Sequence, residues 1–376
     1  MKKIAIVFGT RPEAIKMAPL IIELENRFDV KVWVTAQHRG MLDQVLELFE
    51  VIPDLDLDIM KDGQDLFDIS SRILLGLKKI FKIDRPDCVL VHGDTSTSLM
   101  AAISAFYEKI PVGHVEAGLR TYNVYSPFPE EMNRQLTSKL ANFHFAPTKY
   151  AKKNLLKENI EEQNIYITGN TVVDSLHYMQ KRVKKANFSK EFLSNIHNIS
   201  EIIDNKKIIL VTGHRRENFG EGFENICRSI KKIANEFKEV QVIYPVHLNP
   251  NVLEPVHRIL QNSNNVSLID PVEYSDFIKL MDISYLILTD SGGIQEEAPS
   301  FGKPVLLMRD TTERPEALNA GTVVLTGTNE ENIYNLVKEL LIDKLKYESM
   351  VSLENPFGDG QASKRISDIL NNLLNN

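Results

Sequence analysis

Side chains that can accept or release a proton recur directly after short apolar runs of this sequence. Asp94 follows the apolar run at residues 88–92, and Glu116 follows the run at residues 112–115. The other members of this group are His92, His114, Glu130, Glu131 and His214. Several carboxylates together with histidine, all at the ends of predicted strands, are what proton transfer in a cleft requires. The pattern predicts general acid–base chemistry.

Each of these residues also has an interpretation without catalysis. Acidic residues after Pro129 favour the start of a helix because they complement its dipole, and this interpretation suits Glu131 better than Glu130. Asp94 or Glu116 could instead cap the helix that follows its strand. A structural role is the expectation for His92 and His114.

The segment DSGG at residues 290–293 predicts an anion site. It follows an apolar run and opens a predicted helix. Gly292 and Gly293 let backbone N–H groups approach a phosphate, the helix start adds positive partial charge, and the Ser291 hydroxyl adds a donor. Glu297 lies one turn into this helix, where its carboxylate can accept hydrogen bonds from ribose hydroxyls. The alternative is an ordinary turn with a serine cap and solvated glutamates.

Basic residues on neighbouring turns predict a counter-charge for a nucleotide diphosphate. An arginine can bind phosphate oxygens through two parallel hydrogen bonds, although any single one of these residues could be only a surface or capping residue. The four candidates are Arg11, Lys16, Arg215 and Arg314. Because the net charge is -7, we expect no general nucleic-acid binding, and a nucleotide would require such a local cluster.

Other classes of protein and site are disfavoured. No G-x-G-x-x-G or G-x-x-x-x-G-K-[ST] motif opens a predicted βα unit, and no spacing suggests zinc, so neither a nicotinamide cofactor nor a metal is expected. Cys88 and Cys227 are too few for a disulfide framework and predict buried, reduced thiols in a cytoplasmic protein. The apolar runs are too short to cross a membrane, and the run at residues 4–8 ends too early for a signal peptide.

The elements that must position these side chains alternate along the chain. Continuous apolar runs between amphipathic stretches are typical of parallel strands that are buried on both faces. We predict strands at residues 4–8, 30–35, 88–92 and 112–115, and helices at residues 14–26 and 96–107.

A repeat indicates two similar α/β domains in tandem. Lys3, Val7, Gly9 and Arg11 recur 204 positions later as Lys207, Val211, Gly213 and Arg215. Each copy has a strand, a glycine turn and a basic residue, so we predict two Rossmann-like domains whose sheets face a central cleft.

We place the domain boundaries around this repeat. The N-terminal domain is expected to span residues 1–169 and the C-terminal domain residues 170–360, with a hinge near residues 168–171. A polar insertion or surface helix is expected at residues 187–205. The amphipathic end of the chain, about residues 361–376, is expected to pack back onto the first domain.

Eight sequence blocks resemble one known family, the bacterial and archaeal non-hydrolysing UDP-N-acetylglucosamine 2-epimerases. The resemblance covers nearly the whole chain, and blocks of this length are far more specific than a single loop motif. The blocks are GTRPEAIK at 9–16, HGDT at 92–95, HVEAGLRT at 114–121, SPFPEEMNR at 126–134, TGHRREN at 212–218, TDSGGIQEEAP at 289–299, TTERPE at 311–316 and NPFGDGQ at 355–361.

The resemblance implies a glycosyltransferase-B type of fold, a homodimer and neither metal nor nicotinamide. It implies that the catalytic group is Asp94, Glu116, Glu130 and His214. It implies that the substrate contacts are Arg11, Lys16, Arg215, Phe277, Ser291, Gly292, Gly293, Glu297 and Arg314. A further contact, at Val272, stays open because some family members carry Gln there.

The reaction that the resemblance implies is reversible inversion at C2 of UDP-N-acetylglucosamine. UDP is eliminated to give a 2-acetamidoglucal and then adds back, which supplies N-acetylmannosamine-type sugars for cell-surface polysaccharides. A second UDP-N-acetylglucosamine often activates this branch of the family. The matching positions are Gln37, Arg72 and His247, with Glu131 as a further candidate, whereas Gly40 departs from the pattern.

Four alternatives remain at this stage. A glycosyltransferase of the same fold would share the nucleotide contacts but would not need acid–base groups on both faces of C2. A hydrolysing relative would release UDP and free N-acetylmannosamine. A relative that acts on a modified sugar, such as a diacetamido uronic acid, would share the same blocks. A UDP-sugar sensor without catalysis would not need the carboxylates.

Overall fold

The computed structural model describes residues 1–36, 39–61, 63–183, 188–196 and 199–375. The chain forms two compact units. Unit 1 comprises Met1–His177 together with Phe357–Asn376, and unit 2 comprises Tyr178–Pro356. The first segment of unit 1 therefore ends at residue 177, eight residues after the expected boundary at residue 169. The chain returns to unit 1 at residue 357, four residues before the expected residue 361.

The strands and helices alternate along the described chain. The strands are β1 (Lys3–Phe8), β2 (Asp29–Val34), β3 (Leu55–Asp56), β4 (Cys88–His92), β5 (Val112–Val115), β6 (Phe143–Ala146), β7 (Ile165–Ile167), β8 (Lys207–Thr212), β9 (Val240–Pro245), β10 (Val266–Ile269), β11 (Leu286–Thr289), β12 (Val305–Leu307) and β13 (Val323–Leu325). The helices are α1 (Arg11–Leu24), α2 (Arg39–Phe49), α3 (Leu66–Ile83), α4 (Ser96–Tyr107), α5 (Glu130–Leu140), α6 (Lys149–Lys157), α7 (Thr171–Val183), α8 (Lys190–Asn195), α9 (Ile199–Asn205), α10 (Glu221–Glu236), α11 (Pro250–Leu260), α12 (Tyr274–Ile283), α13 (Gly292–Glu297), α14 (Pro315–Ala320), α15 (Glu330–Ile342), α16 (Lys344–Val351) and α17 (Ala362–Asn375). Short 3-10 turns lie at Glu162–Asn164, Arg216–Asn218 and Ala298–Phe301.

Unit 1 is built on a parallel sheet with the strand order β3-β2-β1-β4-β5-β6-β7. Every residue of β4 and β5 is buried, because these apolar strands have neighbours on both sides and helices pack against the sheet. The order reverses between β1 and β4. The carboxyl ends of strands at such a reversal are where open α/β sheets bind ligands.

Unit 2 repeats this plan in the order β10-β9-β8-β11-β12-β13, again with all strands parallel. Its order reverses between β8 and β11. The predicted class of two parallel-sheet α/β domains is therefore confirmed. The strands expected at residues 88–92 and 112–115 have those bounds, and the one expected at 30–35 is β2, one residue earlier.

Helix α1 begins three residues before its predicted start. Thr10 is its N-cap, and a capping box with Glu13 forms around Pro12 in the first turn. Proline fits the first turn because its missing N–H has no partner there in any helix. The capping residues and the proline outweigh the apolar periodicity on which the prediction depended.

The end of the chain packs within unit 1. Helix α17 packs on α1, and Asp174 accepts hydrogen bonds from the backbone N–H groups of Ala362 and Ser363 at 3.2 and 2.8 Å. The polar segment expected around residues 187–205 contains the short helices α8 and α9. No helix among the described residues is long and apolar enough to cross a bilayer.

Both cysteines are buried and free of disulfides, as the sequence predicted. Burial raises the pKa of each thiol, Cys88 and Cys227, to about 12. Neither thiol therefore forms a reactive thiolate at neutral pH.

Candidate active site

In unit 1 the turns that follow β1 and β4 are joined by one buried carboxylate, Glu13. Its Oε2 accepts hydrogen bonds from the backbone N–H groups of Gly9 and Thr10 at 3.0 and 2.9 Å. Its Oε1 accepts from the hydroxyls of Thr95 and Ser98 at 2.7 and 3.0 Å. Burial raises the pKa of Glu13, although these hydrogen bonds oppose the shift. Our sequence analysis did not single out Glu13, and its place three residues after the Thr10 cap was the available signal.

Arg11 begins helix α1 on one of these two turns. Its side chain is half-buried and makes no hydrogen bond or ion pair with any residue that the structure describes. A cation in this setting can bind an anionic ligand without first leaving a protein partner.

Glu116, directly after β5, is brought together with two predicted site residues. Its Oε2 forms an ion pair with Nζ of Lys16 and lies 3.8 Å from Nε2 of His92. The same oxygen accepts a hydrogen bond of 2.7 Å from the Asn170 amide. Glu116 also has a φ of 63°, in the left-handed region that a non-glycine residue occupies at a cost of order 1–2 kcal/mol. Strain of this kind accumulates at functional sites.

Asp94, after β4, is held by Arg134 of helix α5. Oδ2 of Asp94 lies 2.9 Å from Nε and 2.6 Å from Nη2 of Arg134, so two guanidinium nitrogens converge on one carboxylate oxygen in a charged contact. Arg134 also binds Oε2 of Glu131 at 3.1 Å. The Asp94 side chain keeps 27% of its surface exposed, so a ligand can still reach it.

The two neighbouring glutamates at the start of α5 have different environments. Glu131 is fully buried and accepts hydrogen bonds from the backbone N–H groups of Thr121 and Tyr122. Burial alone would raise its pKa, but these bonds, one from Gln135 and the charge of Arg134 outweigh burial and lower it. This arrangement supports the structural interpretation of Glu131.

Glu130 makes fewer contacts than its neighbour. Its Oε2 is buried and has no hydrogen-bond partner among the residues that the structure describes. A buried carboxylate oxygen without a donor is unfavourable in a resting protein. Its environment therefore favours the interpretation of Glu130 as a group that meets a ligand.

Two buried histidines lie on β5 and β6, and one of them binds the turn after β4. His114 on β5 donates from Nε2 to the carbonyl of Gly93 at 2.7 Å, and His144 is its neighbour on β6. Burial lowers the pKa of His114 to about 3 and that of His144 to about 4. Both rings are neutral at physiological pH, which supports the structural role expected for His114.

These two histidines predict an acid-sensitive fold. Each folded-state pKa lies below the unfolded value near 6.5, so the stability is fully present above pH 6.5 and is lost as pH falls towards 4. At pH 5 the loss is roughly 2 kcal/mol for each histidine. Urea unfolding at pH 7.5 and pH 5 measures it. The variant His144→Gln should have a smaller pH-dependent loss, whereas His257→Gln, at an exposed position, should keep the wild-type loss. Equal losses in all three proteins would contradict this account.

In unit 2 a buried carboxylate again joins the turns on either side of the strand reversal. Oδ2 of Asp290 accepts hydrogen bonds from the backbone N–H groups of His214 and Arg215, both at 2.8 Å. Its Oδ1 lies 3.4 Å from Nδ1 of His214. From the sequence, Asp290 was expected to open the DSGG segment after a strand, with no bonding role of its own. Its place directly after an apolar run, before SGG, was the signal.

The ring of His214 lies between Asp290 and a second histidine. It stacks on His247 with 5.5 Å between ring centroids and 19° between the planes. Burial lowers the pKa of His214, although the charge of Asp290 opposes the shift. Nδ1 faces Asp290 without a hydrogen bond, because Oδ1 of Asp290 has no hydrogen-bond partner within the described residues. The side chain is 42% exposed, so a ligand can reach Nε2.

The arginines of unit 2 differ in their partners. Nε of Arg215 is buried and has no acceptor within the described part of the chain. Arg314, by contrast, binds Glu296 at 2.5 Å and Glu313 at 2.8 Å. Burial opposes ionisation of Glu313, but the nearby arginines, Arg314 foremost, lower its pKa to about 2. Arg314 is therefore fixed by two carboxylates, whereas Arg215 has a donor to offer.

The SGG turn lies against Arg314. A side chain at Gly292 would place its Cβ 2.6 Å from Nη1 of Arg314, so only glycine allows this approach. Ser291 caps the six-residue helix α13, and Glu297 ends it. The hydroxyl of Tyr274, which sequence reasoning missed, donates to Oε2 of Glu297 at 3.4 Å. Gly293 also belongs to α13. Phe277 in α12 and Val272, which precedes that helix, are both half-buried.

The residues predicted for a second nucleotide site have different outcomes. Gln37 lies outside the described residues. Arg72 of α3 donates to the carbonyl of Ile59 at 3.0 Å and to Gln64 at 3.2 Å. Gly40 is an exposed residue of α2. Arg72 lies in unit 1 and His247 in unit 2, so this second site stays a prediction.

The described residues contain no group of three or more His, Cys, Asp or Glu side chains placed to hold a metal ion.

Two parallel sheets with the same order at their reversals, each with charged side chains at its strand ends, define an enzyme of the glycosyltransferase-B type. The family model for UDP-N-acetylglucosamine 2-epimerase matches residues 21–371. The chain belongs to this family, as the sequence blocks predicted.

Relatives match along the full length. A UDP-N-acetylglucosamine 2-epimerase from Yersinia pestis is 57% identical over 373 residues, which cover 98% of both chains. The structure of the Neisseria meningitidis enzyme bound to UDP-GlcNAc has a TM-score of 0.87 at 51% identity and covers 100% of both chains. The Methanocaldococcus jannaschii enzyme, in complex with UDP-GlcNAc and UDP, has a TM-score of 0.79 at 34% identity, with 98% of this chain and 99% of that chain covered.

Proposed function

We propose that this chain inverts C2 of UDP-N-acetylglucosamine by eliminating UDP and adding it back. The observation that carries the proposal is a pair of carboxylates at the ends of adjacent strands β4 and β5. Each is paired with a cation, Asp94 with Arg134 and Glu116 with Lys16. Binding of the ribose and diphosphate does not require carboxylates at these strand ends, whereas proton transfer at C2 does.

The chemistry requires more than a base because the hydrogen on C2 is not next to a carbonyl group. As the bond from C1 to the diphosphate oxygen breaks, positive charge develops at C1 and acidifies that hydrogen. A carboxylate takes the proton, the C2–H electron pair forms the C1–C2 double bond, and UDP leaves with the C1–O pair. A proton then reaches C2 from the other face, and the diphosphate oxygen attacks C1 again.

The carboxylates of unit 1 suit the proton transfers. Asp94, Glu116 and Glu130 provide acid–base groups for two faces of one carbon, which a single group cannot serve. Glu130 supports this role because its buried Oε2 has no partner within the described residues. We assign His214 as a further proton-transfer group, oriented by Asp290.

Each unit offers basic residues or turns of a kind that suits a diphosphate. Departure of UDP places negative charge on the leaving oxygen, which preorganised donors stabilise more than water does. Arg215 has a donor available, and Arg11 makes no ion pair among the described residues. The backbone N–H groups of Gly292 and Gly293 add further donors, whereas that of Ser291 already binds the hydroxyl of Thr289. We assign Lys16 and Arg314 to the same group and place Phe277 beside the nucleotide.

Replacement of Glu297 by Ala is expected to weaken UDP binding by about tenfold, because hydrogen bonds from the ribose hydroxyls to a charged acceptor are lost. Isothermal titration calorimetry with UDP and with a 2′,3′-dideoxy analogue separates this effect. The analogue should bind the variant and the wild type equally. A similar loss of affinity for both ligands would contradict contact with the ribose.

A proton NMR time course with UDP-N-acetylglucosamine in heavy water tests the proposed reaction. UDP-N-acetylmannosamine carrying deuterium at C2 is the expected product. Accumulation of UDP with free N-acetylmannosamine would assign the chain to hydrolysing enzymes. An unchanged spectrum would overturn the proposal for this sugar and direct the same test to UDP-diacetamido sugars.

We propose self-association through the faces of α3 and α4. These helices pack on each other within unit 1 and expose large apolar side chains, among them Leu75, Ile83, Phe106 and Tyr107. Clusters of this kind mark interaction surfaces. Light scattering should give about twice the chain mass of 42.8 kDa for a homodimer.

We also propose two consequences at the level of the cell. The product would supply N-acetylmannosamine-type sugars for surface polysaccharides, and the enzyme would act in the cytoplasm.

A second UDP-N-acetylglucosamine would activate the enzyme through Arg72 and His247. Sigmoidal substrate kinetics would support activation of this kind, whereas hyperbolic kinetics would argue against it.

A further inference from the structure

Asn170, in the connection between β7 and α7, is a buried residue whose polar groups bind three different parts of unit 1. Its backbone N–H donates to the carbonyl of Phe357 at 2.7 Å. Its Oδ1 accepts from the backbone N–H of Val172 at 3.1 Å. Its Nδ2 donates to Oε2 of Glu116 at 2.7 Å. Only 2% of its surface is exposed.

These contacts determine the orientation of the amide. Because Val172 donates to the oxygen, the nitrogen of the Asn170 amide must face Glu116. An N–H donor favours an ionised oxygen over a protonated one, since a protonated Oε2 would direct its own hydrogen at the amide. Asn170 therefore stabilises the carboxylate form of Glu116 and fixes its position.

The surroundings of Glu116 act in the same direction from other elements. Two basic side chains face Glu116, Lys16 on α1 and His92 at the end of β4. A lysine can move on its flexible stem, whereas the amide of Asn170 is held at both its backbone and its side chain. The amide is therefore the fixed donor of the set.

The backbone of Asn170 is itself fixed where the chain returns to unit 1. Phe357, which accepts its N–H, is the first residue of the returning segment. The neighbours Gly169 and Gly358 have φ values of 89° and 140°, and a Cβ on Gly169 would lie 3.5 Å from Cα of Gly358. Both φ values lie in the region that favours glycine, and the two glycines pack at ordinary van der Waals distance beside Asn170.

We propose that Asn170 is a positioning residue for the epimerisation, which holds Glu116 as an oriented carboxylate ready to take a proton. This inference rests on the proposed function, because it requires Glu116 to act as a base. It adds a residue that makes no contact with the reacting atoms but sets the ionisation of one that does.

The variant Asn170→Asp tests the proposal because it is isosteric and keeps an acceptor for Val172. It places a second carboxylate oxygen about 2.7 Å from Oε2 of Glu116, and two carboxylates at this distance share a proton. The acidic limb of the pH profile of kcat should move upward by about one pH unit or more. Asn170→Ala, which removes the donor to Glu116 together with the acceptor for Val172, should lower kcat while KM changes little.

The matched control is Asn154, a fully buried asparagine of unit 1. Its amide binds the carbonyl of Gly118 at 3.0 Å and the hydroxyl of Tyr122 at 3.1 Å. Asn154→Asp should lose thermal stability and keep the wild-type pH limb.

Each result of the comparison decides a different point. A wild-type pH limb in Asn170→Asp, or an equal shift in Asn154→Asp, would overturn the positioning role. If Asn170→Asp does not fold, an unchanged kcat in Asn170→Ala would overturn it instead. Absence of C2 exchange in the wild-type enzyme would overturn the proposed function and not the positioning alone.

Discussion

Replacement of Glu116 by Gln is expected to lower kcat by about 10³-fold, because the amide cannot accept the C2 proton and its loss removes one general base from the reaction. Gln keeps the size of the side chain, so the turn after β5 should survive. The dissociation constant for UDP should stay close to that of the wild type, since the nucleotide contacts that we assign lie largely in unit 2. Single-turnover kinetics and calorimetry measure the two quantities separately.

Glu158 provides the control for this prediction. It is also a carboxylate of unit 1 in an ion pair, 2.6 Å from Nε of Arg120, but Arg120 joins it to none of the proposed catalytic residues. Glu158→Gln should lose stability and keep kcat near the wild-type value. If Glu116→Gln lost UDP binding together with turnover, Glu116 would be structural.

Replacement of Arg215 by Met is expected to lower kcat/KM by about 10²- to 10³-fold, because one preorganised donor to the leaving diphosphate disappears. Met retains much of the apolar length of the side chain. Arg215→Lys should recover part of the loss, since it restores the charge but not the two-pronged geometry. Steady-state kinetics with UDP-N-acetylglucosamine measures both variants.

The adjacent Arg216 is the matched control, since it is exposed and follows on the same turn. Arg216→Met should keep kcat/KM near the wild-type value. An equal loss in the two variants would indicate a general effect of positive charge on nucleotide encounter, which added salt would screen. In that case Arg215 would not be a specific contact.

The strands and turns of the site could be predicted from local sequence. β4 (CVLVH) and β5 (VGHV) are mostly apolar runs, and such runs favour buried parallel strands. Each strand is followed within two residues by its carboxylate, Asp94 after β4 and Glu116 after β5. The 204-residue repeat similarly predicted a second sheet, and the strand orders bear this out.

The partners of these residues could not be predicted in the same way. Lys16 and Glu116 are 100 positions apart, and Asn170 is a further 54 from Glu116. Only the packing of helix against sheet brings them within bonding distance, and nothing in the local pattern carries this information. Glu13 was overlooked for a related reason. A glutamate in the first turn of a helix usually lies on the surface, whereas this one faces inward.

Neighbouring glutamates were a third difficulty. Glu130 and Glu131 are identical in type and adjacent in sequence, yet Glu131 binds two backbone N–H groups and Glu130 has a buried oxygen without a donor in the described chain. One step along a helix rotates a side chain by about 100°, so adjacent residues face different surroundings. The sequence already favoured a structural role for Glu131 over Glu130, and these surroundings supply the physical reason.

The two buried carboxylates that join the turns, Glu13 in unit 1 and Asp290 in unit 2, come from different elements. This difference leaves different side chains available for chemistry in the two units. In unit 2 the joining residue is Asp290, directly after strand β11. Its Oδ2 accepts hydrogen bonds from two backbone N–H groups, and the residue is 0% exposed. Unit 1 recruits Glu13 from the following helix instead, and Asp94 beyond its central strand retains access to solvent. In unit 1 the carboxylate after the central strand is thus available to a ligand, because a neighbouring residue joins the turns instead. For Asp290 itself to transfer protons, another residue of unit 2 would first have to bind the backbone N–H groups of His214 and Arg215.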